Sequence, residues 1–182
     1  PMGCRSFLAP WKDENGNYKF EGRFNQGVVS INLPQIGIIA KGDEDKFWKL
    51  LDERLELCYE ALMCRHEACK KIVSDVSPVH WQYGALARLP KGQLIEKLLY
   101  GGYSSISLGY IGLYEVTKAM KGVSHTTEEG KEFALRVMNR LRKATDDWKA
   151  KTNIGFALYG TPAESLCYRF ARIDTERFGT IE

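Results

Sequence analysis

The chain has 182 residues, of which 44% are hydrophobic, 27% charged and 12% aromatic, with a formal net charge of +3. That balance belongs to a soluble globular protein and argues against intrinsic disorder. The positive surplus is too small for a nucleic-acid binder, no apolar run approaches the ~18–20 residues of a membrane span, and no basic-then-apolar leader points to secretion.

The length suits one domain or one piece of a larger one. The chain opens on Pro1-Met2-Gly3-Cys4 and closes on Ile181-Glu182, and both ends read as cuts through a longer protein. Residues 1–25 are rich in Gly, Asn and aromatics. Within them Asp13-Glu14-Asn15-Gly16-Asn17 is a turn signal between short extended pieces, so a hairpin-like loop is expected. Gly27 to Leu33 is β-branched and apolar, stops at Pro34, and reads as a buried strand.

Asp43 then caps a long helix. Phe47, Leu50, Leu51, Arg54, Leu55, Cys58, Ala61, Leu62 and Cys69 recur at helical spacing, and the pattern runs to about Val73. Pro78 to Tyr83 is expected as a short strand or strand-like loop, and Gln93 to Leu99 as a short helix. Tyr103 to Leu108 reads as another strand, followed by helical spacing from Tyr110 to about Met120. Thr126 and Glu129 offer a capping box. The helix after it carries Phe133, Val137, Leu141, Ala144 and Trp148 on one face. Ile154 to Tyr159 is a third strand, and a last helix runs through Phe170. Strands alternating with helices imply βαβ units, an α/β class and a largely parallel sheet. One compact unit is the simplest division.

Five cysteines, at 4, 58, 64, 69 and 167, without a CxxC, argue against a disulfide framework and for a reducing, cytosolic setting. Cys58, Cys64, His66 and Cys69 look like a metal cluster, but on a helix offsets of 6 and 11 residues do not bring three thiols to one point, so structural cysteines are expected. His66 is placed on the helix surface.

Gly160-Thr161-Pro162-Ala163-Glu164-Ser165 follows an apolar strand and opens a helix. Thr161 suits the N-cap, Pro162 the first helical position and Glu164 the third. The segment reads either as an ordinary capped helix or as an anion site, since a helix N-terminus presents free N–H groups and a positive dipole end. Glu164 counts against the anion unless it points away. Cys4 sits beside Arg5, which favours thiolate, though a loop cysteine is also commonly incidental. Asn25 and Asn32 flank the first strand, and each suits either a ligand hydroxyl or a local cap.

Several stretches together go further. Pro1-Met2-Gly3-Cys4-Arg5-Ser6-Phe7-Leu8, with Trp11 to Gly16, resembles the cysteine finger loop of the anaerobic (class III) ribonucleoside-triphosphate reductases, which are glycyl radical enzymes. Asn25 to Pro34, Ser107 to Glu115, Thr161 to Leu166, Arg169-Phe170 and Asp174 to Gly179 are similar to further segments of that family, in order, across nearly the whole chain. The resemblance implies an α/β fold: part of a ten-stranded barrel of parallel strands with a finger loop (about 1–25) and a phosphate-binding loop and helix (about 160–170). It implies conversion of ribonucleoside triphosphates to 2′-deoxyribonucleotides in the cytoplasm. A glycyl radical activates the finger-loop cysteine, whose thiyl removes the 3′ hydrogen. By position Cys4 is that cysteine, Asn25 lies close to the ribose, and Gly160, Thr161, Pro162, Ala163, Glu164 and Ser165 hold the phosphates.

The family's glycine-radical segment, structural zinc module, second active-site cysteine and ATP-binding cone for ATP/dNTP effectors have no counterpart in these residues, so the isolated chain is expected not to turn over. A radical-SAM activating enzyme and a homodimer are the partners implied for the full-length enzyme. The alternative is a non-catalytic nucleotide-binding or assembly module that completes a barrel with a partner chain.

Overall fold

The computed structural model describes residues 7–12, 15–162 and 164–180. Phe24–Asn32 (β1), Ser104–Ile111 (β2) and Gly155–Gly160 (β3) form one parallel sheet with β2 in the middle. After β1 come Leu33–Ala40 (α1), Glu44–Lys70 (α2) and Pro78–Trp81 (α3). Leu113–Lys121 (α4) and Glu128–Thr152 (α5) join β2 to β3, and Glu164–Phe178 (α6) follows. Short 3₁₀ turns occupy Ser74–Val76 and Glu96–Leu99.

The expected α/β alternation is present, with three local corrections. Pro34 does not simply end a strand: it lies in the first turn of α1, whose cap is Asn32, its Oδ1 accepting from the Gln35 N–H at 3.3 Å. A proline lacks the N–H that a first turn leaves unpaired, so it starts this helix instead of breaking it. Pro78 does the same for α3, where a short strand or strand-like loop was expected; the carbonyls of Ser77 and Pro78 accept from Trp81 and Gln82. The cap of α5 is Thr127, not Thr126: its Oγ1 accepts from the Gly130 N–H at 3.2 Å. Gly130 has no side chain to reach back, so no capping box forms.

The chain divides into two compact units where one was expected. The first comprises residues 1–29, 57–108 and 142–159, the second 30–56, 109–141 and 160–182.

In the first unit Trp81, Leu89, Ile95, Leu98 and Leu99 form a buried cluster, with Phe24, Ile72 and Tyr103 packed on it. Tyr59, Trp148 and Phe156 make a second aromatic group, with ring centroids 5.3–6.0 Å apart. The part of β2 in this unit is buried throughout, serines included. A central strand loses water on both faces, so each buried serine needs a protein partner. Ser104 Oγ donates to Leu99 O at 2.9 Å, Ser105 Oγ accepts from the Ala9 N–H at 3.2 Å, and Ser107 Oγ accepts from Asn25 at 3.1 Å. The expected hairpin-like loop appears as an antiparallel bridge between Lys12 and Tyr18, with Lys19 N–H donating to Trp11 O.

In the second unit Phe47, Leu51 and Leu55 of α2 and Phe133, Val137 and Leu141 of α5 are buried, as the helical stripes require. The Phe47 and Phe133 rings lie 5.3 Å apart. Residues of α1 pack on α4, where a Cβ at Gly37 would already stand 3.1 Å from Val116 Cγ2. Glu44 of α2 receives both Lys121 and Arg136, and Asp52 receives Arg140 at 2.7 Å.

Candidate functional site

Asn25 lies on β1 in the first unit. Its Nδ2 donates to Phe7 O at 2.7 Å and to Ser107 Oγ at 3.1 Å, and its Oδ1 accepts from the Gly27 N–H at 2.6 Å. That last bond closes a tight step over residues 25–27, in which Gly27 has φ +135°. A side chain there would be strained, and its Cβ would meet Arg65 Nη1 at 2.6 Å, so glycine is required. The amide of Asn25 is therefore aimed by three bonds before any ligand arrives. Its carbonyl oxygen keeps a second lone pair, which suits a donating hydroxyl.

The loop before β1 is held against the same sheet face. Arg23 Nε donates to Gly102 O at 2.7 Å and its Nη2 to Ala9 O at 2.6 Å. Burial draws the Arg23 guanidinium below its ordinary pKa, yet an arginine stays charged. The Phe7 ring stacks on Tyr159 at 5.7 Å and 9°. Sequence reasoning passed over Arg23, Ser105 and Ser107. The signal available was strand alternation: residues 23 and 25 share a face, and so do 105 and 107.

Cys4 and Ala163 lie outside the described residues, as does the Glu164 side chain. Gly160, Thr161, Pro162 and Ser165 belong to the second unit. The structure joins Thr161 to its surroundings differently from the expected cap. The helix begins at Glu164. Thr161, the residue after β3, is still tied to the sheet: its N–H donates to Tyr110 O at 3.1 Å, and its Oγ1 shares a 2.7 Å hydrogen bond with Ser30 Oγ. A hydroxyl paired with Ser30 is not the cap, and Pro162 precedes the helix. Pro162 and Ser165 are exposed.

The second unit also contains a cleft of about 660 Å³ between α1, α4 and α6, lined by Pro34, Ile38, Tyr114 and Phe170 with Asp174 in its wall. Of the expected phosphate-loop residues that are described, Gly160, Thr161, Pro162 and Ser165, none lines it. Asp174, 6% exposed, accepts from Asn32 Nδ2 at 2.8 Å and from Gln35 Nε2 at 2.6 Å. Asn32 is thus a structural residue, bonded to Asp174 and capping α1.

His66 is not on the helix surface. It is fully buried, with Nδ1 3.0 Å from Gln26 Oε1 and Nε2 3.0 Å from Tyr100 Oη. Desolvation lowers its pKa, an effect Lys70 reinforces and Glu67 and Glu96 oppose. Burial raises the thiol pKa of Cys69, so it is a poor thiolate. Among the described residues no three His, Cys, Asp or Glu side chains converge to hold a metal, and no helix is long and apolar enough to cross a membrane.

A parallel sheet whose strands run into helices defines a protein of the α/β class. The family model described as anaerobic ribonucleoside-triphosphate reductase matches residues 1–182, and the chain belongs to that family. It is 46% identical over 184 residues to the anaerobic ribonucleoside-triphosphate reductase of Salmonella typhimurium, matching all of this chain and 26% of the relative. It is 41% identical to that of enterobacteria phage T4, of which it covers 29%. The chain therefore spans between a quarter and a third of these relatives' length. Its fold superposes on the anaerobic ribonucleotide reductase from Thermotoga maritima with glycerol in the active site. The TM-score is 0.69 at 22% identity, covering 94% of this chain and 27% of that one.

Proposed function

We propose that this chain is the segment of an anaerobic ribonucleotide reductase that carries the thiyl cysteine, Cys4, and the substrate-phosphate loop, Gly160 to Ser165. The whole enzyme is an oxidoreductase that converts ribonucleoside triphosphates to 2′-deoxyribonucleotides in the cytoplasm. In it the three strands form part of the ten-stranded barrel, and residues 1–25 form its finger loop. The observation that carries the reading is the aim of Asn25. Its amide is held by Ser107 and by the carbonyl of Phe7, a residue three along the sequence from Cys4, and this supports the reading.

In this reading Asn25 Oδ1 accepts a hydrogen bond from a ribose hydroxyl and fixes the sugar's orientation. The free N–H groups at the start of α6 receive the phosphates, which the helix dipole favours. Cys4 would become the thiyl by giving its thiol hydrogen to a glycyl radical on another segment. Cys4, as the thiyl, takes the 3′ hydrogen, becoming a thiol and leaving the unpaired electron on C3′. The full-length enzyme is a homodimer charged by a radical-SAM activating enzyme, with ATP and dNTP effectors and a structural zinc bound by other segments.

The test is Cys4→Ser in the complete enzyme. Deoxynucleotide formation is expected to vanish while ribonucleoside triphosphate binding, followed by equilibrium dialysis, is retained. Turnover by the variant would overturn the assignment of Cys4.

A further inference from the structure

A fully buried histidine, His66, is bonded to Gln26, the residue next to Asn25 on β1, and the proposed chemistry makes no use of it. The hydrogen-bond directions around it are forced. Ser104 Oγ donates to Leu99 O, so it must accept from Gln26. Gln26 therefore turns its NH₂ to Ser104, at 2.7 Å, and its Oε1 to His66. His66 must then carry its proton on Nδ1 to donate to Gln26, which leaves Nε2 to accept from the Tyr100 hydroxyl. The chain from Tyr100 through His66, Gln26 and Ser104 to Leu99 runs in one direction with every proton placed.

Its position on β1 is what matters. Gln26 is the middle residue of the step that Asn25 closes on Gly27, and neighbouring strand residues point to opposite faces. On one face Asn25 holds Phe7 and Ser107; on the other, Gln26 holds His66. Arg65, the residue before His66 on α2, lies over Gly27 so closely that a Cβ there would be 2.9 Å from its Cδ. Two consecutive residues of α2 thus back the three-residue step.

Resting on the function proposed above, we infer that His66 is a positioning residue for Asn25: as the neutral Nδ1–H tautomer it locks Gln26, and through it the 25–27 step that aims the Asn25 amide. A small rotation at residue 26 would swing the residue before it, and displacing a sugar-facing group by about 1 Å costs rate far more than binding. Triphosphate affinity resides mainly in the phosphate loop, so kcat should respond and KM should not.

The test uses the complete, activated enzyme and two variants that each keep one of the two bonds. In His66→Asn the amide NH₂ stands where Nδ1 stood and can still donate to Gln26. In His66→Gln the amide reaches the Nε2 position and serves Tyr100 instead. We expect His66→Asn to keep kcat within about threefold, and His66→Gln to lower it about tenfold with KM unchanged within about twofold. Equal kcat values for the two variants would overturn the inference. Ser104→Ala reads the same link from its far end by removing only a hydroxyl, so it decides the matter even if the His66 variants do not fold. A fall in kcat of about threefold is expected, and wild-type kcat would overturn the inference. Asn25→Ala is run alongside. If Asn25→Ala itself keeps full turnover, the functional reading has failed; if it loses turnover while the His66 and Ser104 results go the wrong way, only the inference has.

Discussion

Strand β1 sends amide side chains into both compact units, and the two units use them differently. In the first, Asn25 and Gln26 join neutral partners: a carbonyl, serines, a histidine and through it a tyrosine. In the second, Asn32 donates to a buried carboxylate, Asp174, with Gln35 on its other oxygen. A carboxylate accepts only, so two amides satisfy it whichever way its charge is shared. The neutral chain works only when each proton lies on one particular atom. The second arrangement ties α1 to α6, and the first fixes orientation along a strand.

The largest effect that separates them is on stability. Asp174→Ala would leave two amide donors without an acceptor, each worth about 1–3 kcal/mol when desolvated. We expect a loss of about 3 kcal/mol in urea unfolding of the complete chain, with peptides of α1 and α6 losing hydrogen-exchange protection first. Unchanged protection there would show that the carboxylate is no hub. Next comes Gly27→Ala, which places a Cβ against Arg65 at positive φ. Its expected cost is about 2 kcal/mol, with kcat falling too because the step aims Asn25. A loss of stability without a loss of rate would separate the strand's two duties.

Acid should distinguish the units by window. The folded-state pKa of His66 lies below its ordinary 6.5, so the unfolded chain binds its proton first. Stability is then full above about pH 6.5 and declines as pH falls below it, by at most about 1.4 kcal/mol per pH unit. Glu44 behaves as a carboxylate whose pKa is lowered, chiefly by the Lys121 hydrogen bond and also by Arg136, with burial opposing. Its contribution is full above its ordinary 4.5 and is lost as pH falls below that. Hydrogen exchange across pH 7 to 4 should show peptides of the first unit losing protection before those around Glu44. His66→Asn should abolish the earlier loss, and simultaneous loss in both units would refute the separation. The smallest effect is Glu44→Gln, about 1 kcal/mol or less, because its two ion pairs are only partly buried.

The legible parts of the fold were those with local or periodic causes. The stripes of α2 and α5 follow from helical spacing, the strand at 155 from an apolar run and the strand at 104 from a short stretch between glycines. The residues left Asn25 open as a ligand partner or a local cap, since a polar residue at a strand start has many uses, and only the resemblance pointed it at a ribose. The aims of Ser107 and Arg23 were hidden because neither a serine in a strand nor an arginine just before one gives a sign of its partner 82 or 79 residues away. The helix α1 was hidden behind Pro34, read as a stop when it is part of a start. Thr161 was misread because a threonine before proline looks like a cap; pairing with Tyr110 and Ser30 keeps it with the strands.

By itself the sequence determined the α/β class, the order of the main elements and, through the order of its motifs, the family. Those depend on periodicity and on residue identity, which a single chain carries in full. Only the tertiary structure decided which polar residues are buried and what they bond. His66 shows this most clearly. Its i to i+4 spacing from Leu62 puts it on the helix's inward face, where a lone histidine is costly unless both ring nitrogens are satisfied. The partners that satisfy them stand 40 and 34 residues away. Local sequence sets the direction of a side chain, and only the packed fold supplies what it meets.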